Sequence, residues 1–299
     1  MADPLLMVFV DGVGLGAAAS DNPFVGTPTP AFDRILGGPL ISSHAGGRGD
    51  VLLRAVDACL GMPGLPQSGT GQTALFTGVN APLLVGRHVV AFPGPRLRRV
   101  LTDHGLFRRA REAGLDCAFA NAFSQRYYEL LESRRLRRSA SVVLAESAGV
   151  RLRDIEDLRA GRALTWDLER DLFARANRED RVQRIDAAEA GRHLHELASR
   201  HDLTLYETFL TDLAGHQRGP IGPAEAVRRL DDFLGGLFEA SAGKGLTVVL
   251  TSDHGNLEES QHRRHTRNAV PLIAWGPGAA ALAQVGALVD VADAVLRAL

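Results

Sequence analysis

The chain has 299 residues, 45% of them apolar, and a formal net charge of -1. That is enough apolar sequence to bury a substantial core, as one large domain or one domain carrying an insertion. A charge this close to zero gives no global attraction to nucleic acid or to an anionic membrane.

Residues 5–10 are a continuous apolar run suited to a buried first strand. No basic leader precedes the run, so it reads as core and not as a signal peptide. It ends at Asp11, followed by Gly12, Gly14 and Gly16. The glycines resemble a dinucleotide loop only superficially, because residues 20–23 read as a turn where a Rossmann helix would begin. In L-P-Q-S-G-T-G-Q-T-A-L-F-T-G, Pro66 fixes the approach and Ser68 can cap a helix, read at residues 72–76, whose free N–H groups point at any bound anion. Thr70 is a rival to Ser68 as cap and as nucleophile. Gly86, Arg87 and His88 form a loop expected to border the same place, either as substrate contacts or as a turn.

Residues 96–113 carry apolar side chains at helical spacing and are closed by Gly114, which predicts one helix. A strand comes next, at 116–120. From 124 to 201 the chain is rich in arginine and acid and poor in strand-like runs, which predicts a small, mainly helical cap over the sheet's edge. Its Arg134 to Arg138 run reads more readily as a solvated helix face than as a phosphate clamp. His193 and His195 read as surface histidines.

Further strands are expected at 203–210, 246–251 and 271–274, with a helix at 223–240. The order strand, helix, strand predicts an α/β fold with a mostly parallel central sheet and helices on both faces. The core would comprise residues 1–123 and 202–299. Lys244 is the only lysine, which argues against Schiff-base and P-loop chemistry. Cys59 and Cys117 lack metal-type spacing and read as reduced thiols of a cytoplasmic protein. No stretch approaches the roughly 20 apolar residues of a membrane span.

Acid and imidazole side chains gather at the predicted strand ends: Asp11, then Asp212 with His216, then Asp253 with His254, and His265 in R-H-T-R-N-A-V-P. Such a set at the carboxyl edge of a parallel sheet suits divalent metal ions. His262, in a polar loop close by, reads as solvent-exposed.

These motifs resemble the alkaline phosphatase superfamily, in particular its metalloenzyme branch with cofactor-independent phosphoglycerate mutase and phosphopentomutase. Ser68 and Gly71 match the S-x-x-G of the nucleophile, Asp11 the first-strand ligand, Asp212 and His216 the D-x-x-x-H pair, Asp253 and His254 the D-H-G-N pair, and His265 the H-T-x-N-x-V-P histidine. The resemblance implies two divalent cations, zinc or manganese, one held by Asp11, Ser68, Asp253 and His254 and the other by Asp212, His216 and His265. It also implies phosphoryl transfer through Ser68 to and from a small phosphorylated substrate. Two departures stand out. The large second domain of the mutases has no counterpart, and Gln72 replaces the histidine of the family's N-S-E-V-G-H. The expected activity is a phosphohydrolase acting on a small ester or diester, with a phosphomutase as the alternative. A metal-stabilised binding protein without catalysis is a third reading, disfavoured by the complete ligand set.

Overall fold

The computed structural model describes residues 3–299. Six strands form one sheet: β1 (Leu5–Val10), β2 (Leu52–Val56), β3 (Cys117–Phe119), β4 (Leu203–Thr208), β5 (Thr247–Thr251) and β6 (Val270–Trp275), in the order β2-β6-β5-β1-β4-β3. β1 pairs in parallel with β4 and β5, and β3 in parallel with β4. β6 runs antiparallel to both β5 and β2. The expected mostly parallel sheet is therefore present, with β6 alone reversed.

β1 divides the core. Leu5, Met7 and Phe9 point into one apolar layer, while Leu6, Val8 and Val10 point into the other, as period-2 alternation requires. Helices Ala187–Ala198 and Pro223–Ser241 cover the second face. Helices Ser68–Thr77, Pro95–His104, Leu106–Glu112, Ala140–Ser147 and Leu288–Ala298 cover the first. With both faces covered, every residue of β1, β4 and β5 is buried, and β1 is apolar throughout.

Two readings of the elements are corrected here. The single helix at 96–113 is two helices, broken at Gly105, where a Cβ would lie 2.3 Å from the Leu101 carbonyl oxygen and 2.7 Å from Leu144 Cδ1. β2 was not expected, because an edge strand with a half-exposed face and Arg54 at its centre lacks a clean apolar run. In the 124–201 region, Ala140–Ser147 and Ala187–Ala198 pack into the two main core layers. A separate small cluster, Ala122, Ile155, Leu158, Ala163, Phe173 and Val182, holds the intervening segment together. No helix among the described residues is long and apolar enough to cross a membrane.

Candidate metal centre

Three adjacent parallel strands deliver acids to one edge of the sheet. β1 ends directly before Asp11, and β5 two residues before Asp253 and His254. β4 ends at Thr208, earlier than expected, and the chain turns into the short helix Leu210–Gly215. Asp212 in that helix and His216 just past its end therefore share one face at i, i+4 spacing. Because β6 is reversed, the loop preceding it lies at this same edge and brings in His265. Gly12, at φ +75°, approaches so closely that a Cβ there would lie 2.9 Å from Asp212 Cα.

All seven residues expected as ligands converge. His254 Nε2 lies 3.2 Å from Asp11 Oδ1, 3.7 Å from Asp253 Oδ2 and 3.0 Å from Ser68 Oγ. His216 Nε2 lies 3.3 Å from Asp212 Oδ1 and 3.1 Å from His265 Nε2. Asp212, His216 and His265 form one cluster able to hold a metal ion, and Asp11, Asp212 and His254 form a second. The rings of His254 and His265 stack with centroids 3.7 Å apart.

The hydrogen bonds of the two rings show what this cluster suits. His265 Nδ1 is 2.7 Å from the Pro66 carbonyl oxygen, and His216 Nδ1 is 2.7 Å from that of Arg263. A carbonyl only accepts, so each Nδ1 carries a proton, and it is Nε2 that each neutral imidazole would offer as a lone pair. Those two nitrogens face each other beside a carboxylate, which suits a cation between them. Asp11 Oδ1 and both carboxylate oxygens of Asp253 are buried without a well-formed hydrogen bond, although His254 Nε2 lies 3.2 Å from the first and 3.7 Å from Asp253 Oδ2; a bound cation would offset the cost of burying these anionic oxygens.

The electrostatics agree. Burial, then the like charges of Asp253 and Asp212, push the Asp11 carboxyl well above the carboxylate range. Burial also raises Asp253. For His254, burial opposes the charged form, but Asp253, Asp11 and Asp212 outweigh it and push its pKa up to about 10. His265 is held down to about 4 by burial and by His254. Three carboxylates in one confined space repel one another's negative charge, which favours positive charge bound among them.

Ser68 is not a cap. Gln67, in extended conformation, occupies the cap position without a side-chain bond, and Ser68 is the first residue of the helix. Its hydroxyl faces His254 instead. Gly71 N–H bonds to the Gln67 carbonyl at 2.8 Å and Thr70 N–H to the same oxygen at 3.2 Å, leaving the N–H groups of Ser68 and Gly69 outside the ladder. A Cβ on Gly71 would lie 2.8 Å from the Asp253 carbonyl oxygen, so the glycine of S-x-x-G is what lets the helix start touch the D-H-G-N loop.

Further residues support the ligands, and Glu258 was not singled out from the sequence. Glu258, 1% exposed, accepts from the backbone N–H of Gly14 at 2.9 Å and of Asn256 at 2.8 Å, from Asn268 Nδ2 at 3.0 Å, and from the Thr266 hydroxyl. One carboxylate thus ties together the loops that carry Asp11, His254 and His265. Asn256 Nδ2 donates to Asp212 Oδ1 at 3.3 Å. Gln72 Nε2 donates to Asp11 Oδ2 at 3.2 Å, a role that a neutral amide fills beside a carboxylate.

Other candidates stand apart. Thr70 is fully buried, donating to the Gln67 carbonyl and accepting from Val89 N–H, each at 3.2 Å, so its hydroxyl is committed to the fold. Arg87 is exposed and His88 partly buried, and neither lines the cavity beside Ser68. His262 pairs with Glu259 at 3.0 Å. His195 is buried, not at the surface as expected. The Arg134 to Arg138 run is a loop between two helices, not a helix face, and Arg137 reaches the cavity.

That cavity, of about 390 Å³, has Ser68, Asp11, Gln72 and Asp212 at one end. Its other walls include Phe92, Phe123, Tyr127, Trp166 and Phe209, with Glu207 and Asn121 among the polar lining. Glu207 is buried, and burial raises its pKa to about 7 despite a hydrogen bond with Ser141.

Residues 179–299 match the family model of the Metalloenzyme superfamily. The resemblance read from the motifs is borne out. Over 107 residues the chain is 35% identical to the 2,3-bisphosphoglycerate-independent phosphoglycerate mutase of Thiobacillus denitrificans, covering 33% of this chain and 21% of that protein. It is 36% identical over 85 residues to the phosphopentomutase of Pseudoalteromonas translucida, covering 27% of this chain and 21% of that protein. The matched stretches thus span about a fifth of these relatives' length. The fold resembles that of the PH0037 protein from Pyrococcus horikoshii, with a TM-score of 0.59 and 15% identity over 99% of this chain and 98% of the other. It also resembles the alkaline phosphatase of the Antarctic bacterium TAB5, with a TM-score of 0.52 and 13% identity over 99% and 97%.

Proposed function

We propose that the chain is a metal-dependent phosphoryl-transfer enzyme, and that it hydrolyses a small phosphate ester by way of Ser68. The observation that carries this reading is the meeting of imidazole nitrogens and buried carboxylate oxygens beside a serine hydroxyl at a helix start. Asp11, Ser68, Asp253 and His254 would hold one divalent ion, and Asp212, His216 and His265 a second, zinc or manganese by donor type. Such a pair stabilises charge on the attacking and leaving oxygens of an in-line displacement. Ser68 Oγ would form a bond to phosphorus as the ester P–O bond breaks and the alcohol departs. Water would then cleave the phosphoserine, releasing phosphate and restoring the hydroxyl. The unpaired N–H groups at the start of the Ser68–Thr77 helix would orient the phosphoryl oxygens.

The segments around 124–139 and 150–185 would serve as a cap over this end of the sheet. Cys59 and Cys117 are both free thiols, which fits a cytoplasmic setting.

The names of the relatives favour a phosphomutase as the second reading. Gln72, bonded to Asp11 where the mutase pattern has histidine, favours hydrolysis. The deciding experiment loads the purified protein with manganese or zinc and follows phosphate release from a panel of esters alongside isomerisation of phosphoglycerate and pentose phosphate. Steady phosphate release is expected. Isomerisation without release would replace hydrolase by mutase.

A further inference from the structure

The cavity is far more aromatic than a phosphoryl group requires. Beyond Ser68 its walls include Phe92, Phe123, Tyr127, Trp166, Phe173 and Phe209. Trp166 and Phe209 stack with centroids 4.5 Å apart at 16°, and Phe123 and Tyr127 lie 4.6 Å apart. Phe92, Phe123, Trp166 and Phe209 are only partly buried. Apolar rings left wet inside a concave site gain free energy when a ligand covers them.

The polar lining is sparse and mostly engaged. Asn121 is spent on the backbone of Glu207, donating to its carbonyl at 2.8 Å and accepting from its N–H at 2.9 Å. Asn177 accepts from Ser124 and donates to the Phe173 carbonyl. Arg137 is the one cationic side chain among the described lining residues. A three-carbon acid or a sugar carries hydroxyls and carboxylate that would find few partners here. A flat ring would find stacking surface on several sides, and the cavity's size is that of small-molecule sites lined by aromatic groups.

Resting on the phosphoryl-transfer reading above, we infer that the substrate is a phosphate ester with a flat aromatic body, which packs against Trp166, Phe209 and Phe123 while its phosphate lies at Ser68. Glu207, at the cavity wall, accepts a hydrogen bond from an N–H or O–H on that body.

The test compares alkyl esters of matched leaving-group chemistry, 2-phenylethyl phosphate against ethyl phosphate and glycerol phosphate, on the manganese-loaded full chain. The expected kcat/KM for 2-phenylethyl phosphate is at least tenfold above the other two, carried by KM. Phe92→Leu and Phe123→Leu should each shrink that ratio severalfold. Binding is read separately: benzylphosphonate should quench the fluorescence of Trp166, a response lost in Trp166→Phe, while ethylphosphonate should not. Equal turnover of the three esters without quenching would overturn the inference and leave the phosphoryl-transfer reading standing. If no ester releases phosphate, that reading fails, and the benzylphosphonate titration alone decides. Quenching then upholds an aromatic ligand, and its absence overturns it.

Discussion

His216 and His265 face each other Nε2 to Nε2 at 3.1 Å, each with its Nδ1 proton committed to a backbone carbonyl. The two rings so held turn their Nε2 atoms toward one place, with Asp212 Oδ1 at 3.3 Å and 3.8 Å from the same two atoms. The carbonyls of Arg263 and Pro66 act as the outer partners that fix ligand orientation. Neither ring can turn to relieve the contact without abandoning its carbonyl.

Ser68→Ala should leave a folded protein that still takes up metal but turns over several orders of magnitude more slowly, because it removes the proposed acceptor. Its hydroxyl caps nothing, so the melting temperature should barely change. Thr70→Ala should do the reverse, lowering stability by about 1 kcal/mol through two lost hydrogen bonds with little effect on rate. Parallel thermal melts and rate measurements check both variants; a trapped phosphate mapped to Thr70 would reverse the assignment.

Glu258→Ala deletes the acceptor shared by Gly14, Asn256, Thr266 and Asn268. Leaving buried donors unpaired should cost about 2–4 kcal/mol and weaken metal binding, since the loop after β1 and the two ends of the β5–β6 loop lose their common tie. Glu258→Gln should be milder on both counts. Unchanged metal affinity in Glu258→Ala, read by calorimetry, would show that the loops hold their places without it.

The Glu207 carboxyl, raised to about 7 by burial, makes stability depend on pH with a definite sign. A folded-state pKa above the unfolded value of 4.5 means the contribution is fully present below about pH 4.5 and is lost as pH rises through about 7. The loss amounts to roughly 3 kcal/mol at ~1.4 kcal/mol per pH unit. Glu207→Gln, studied after chelation, should flatten the decline between pH 5 and pH 8 seen in denaturant melts. A mutant curve parallel to that of the wild type would mean that Glu207 does not titrate in this window.

The ligands were legible in the sequence because each sits directly after an apolar strand or within a compact motif, and strand ends are where a parallel sheet gathers chemistry. Asp11, Asp253 and His254 need only a correct strand to be placed. Glu258 was not legible, since it joins both ends of its own β5–β6 loop to Gly14 in the loop after β1, and these meet only once the sheet is assembled. Trp166 and Phe209 lie far apart in the chain and stack only in the fold. The break at Gly105 and the burial of His195 are likewise decided by neighbours in space, Leu144 in the first case and the helix packing of Ala187–Ala198 in the second. Local pattern marks the chemistry; tertiary packing supplies its braces and its cavity.

The most direct test of the metal centre is a crystal structure of the manganese- or zinc-loaded protein with anomalous-scattering maps. Peaks are expected within ligand distance of His216 Nε2, His265 Nε2 and Asp212, and of His254 Nε2, Asp11 and Asp253, with the first peak lost in His265→Ala. Maps without a peak at either place, in protein that diffracts well after soaking, would contradict the account.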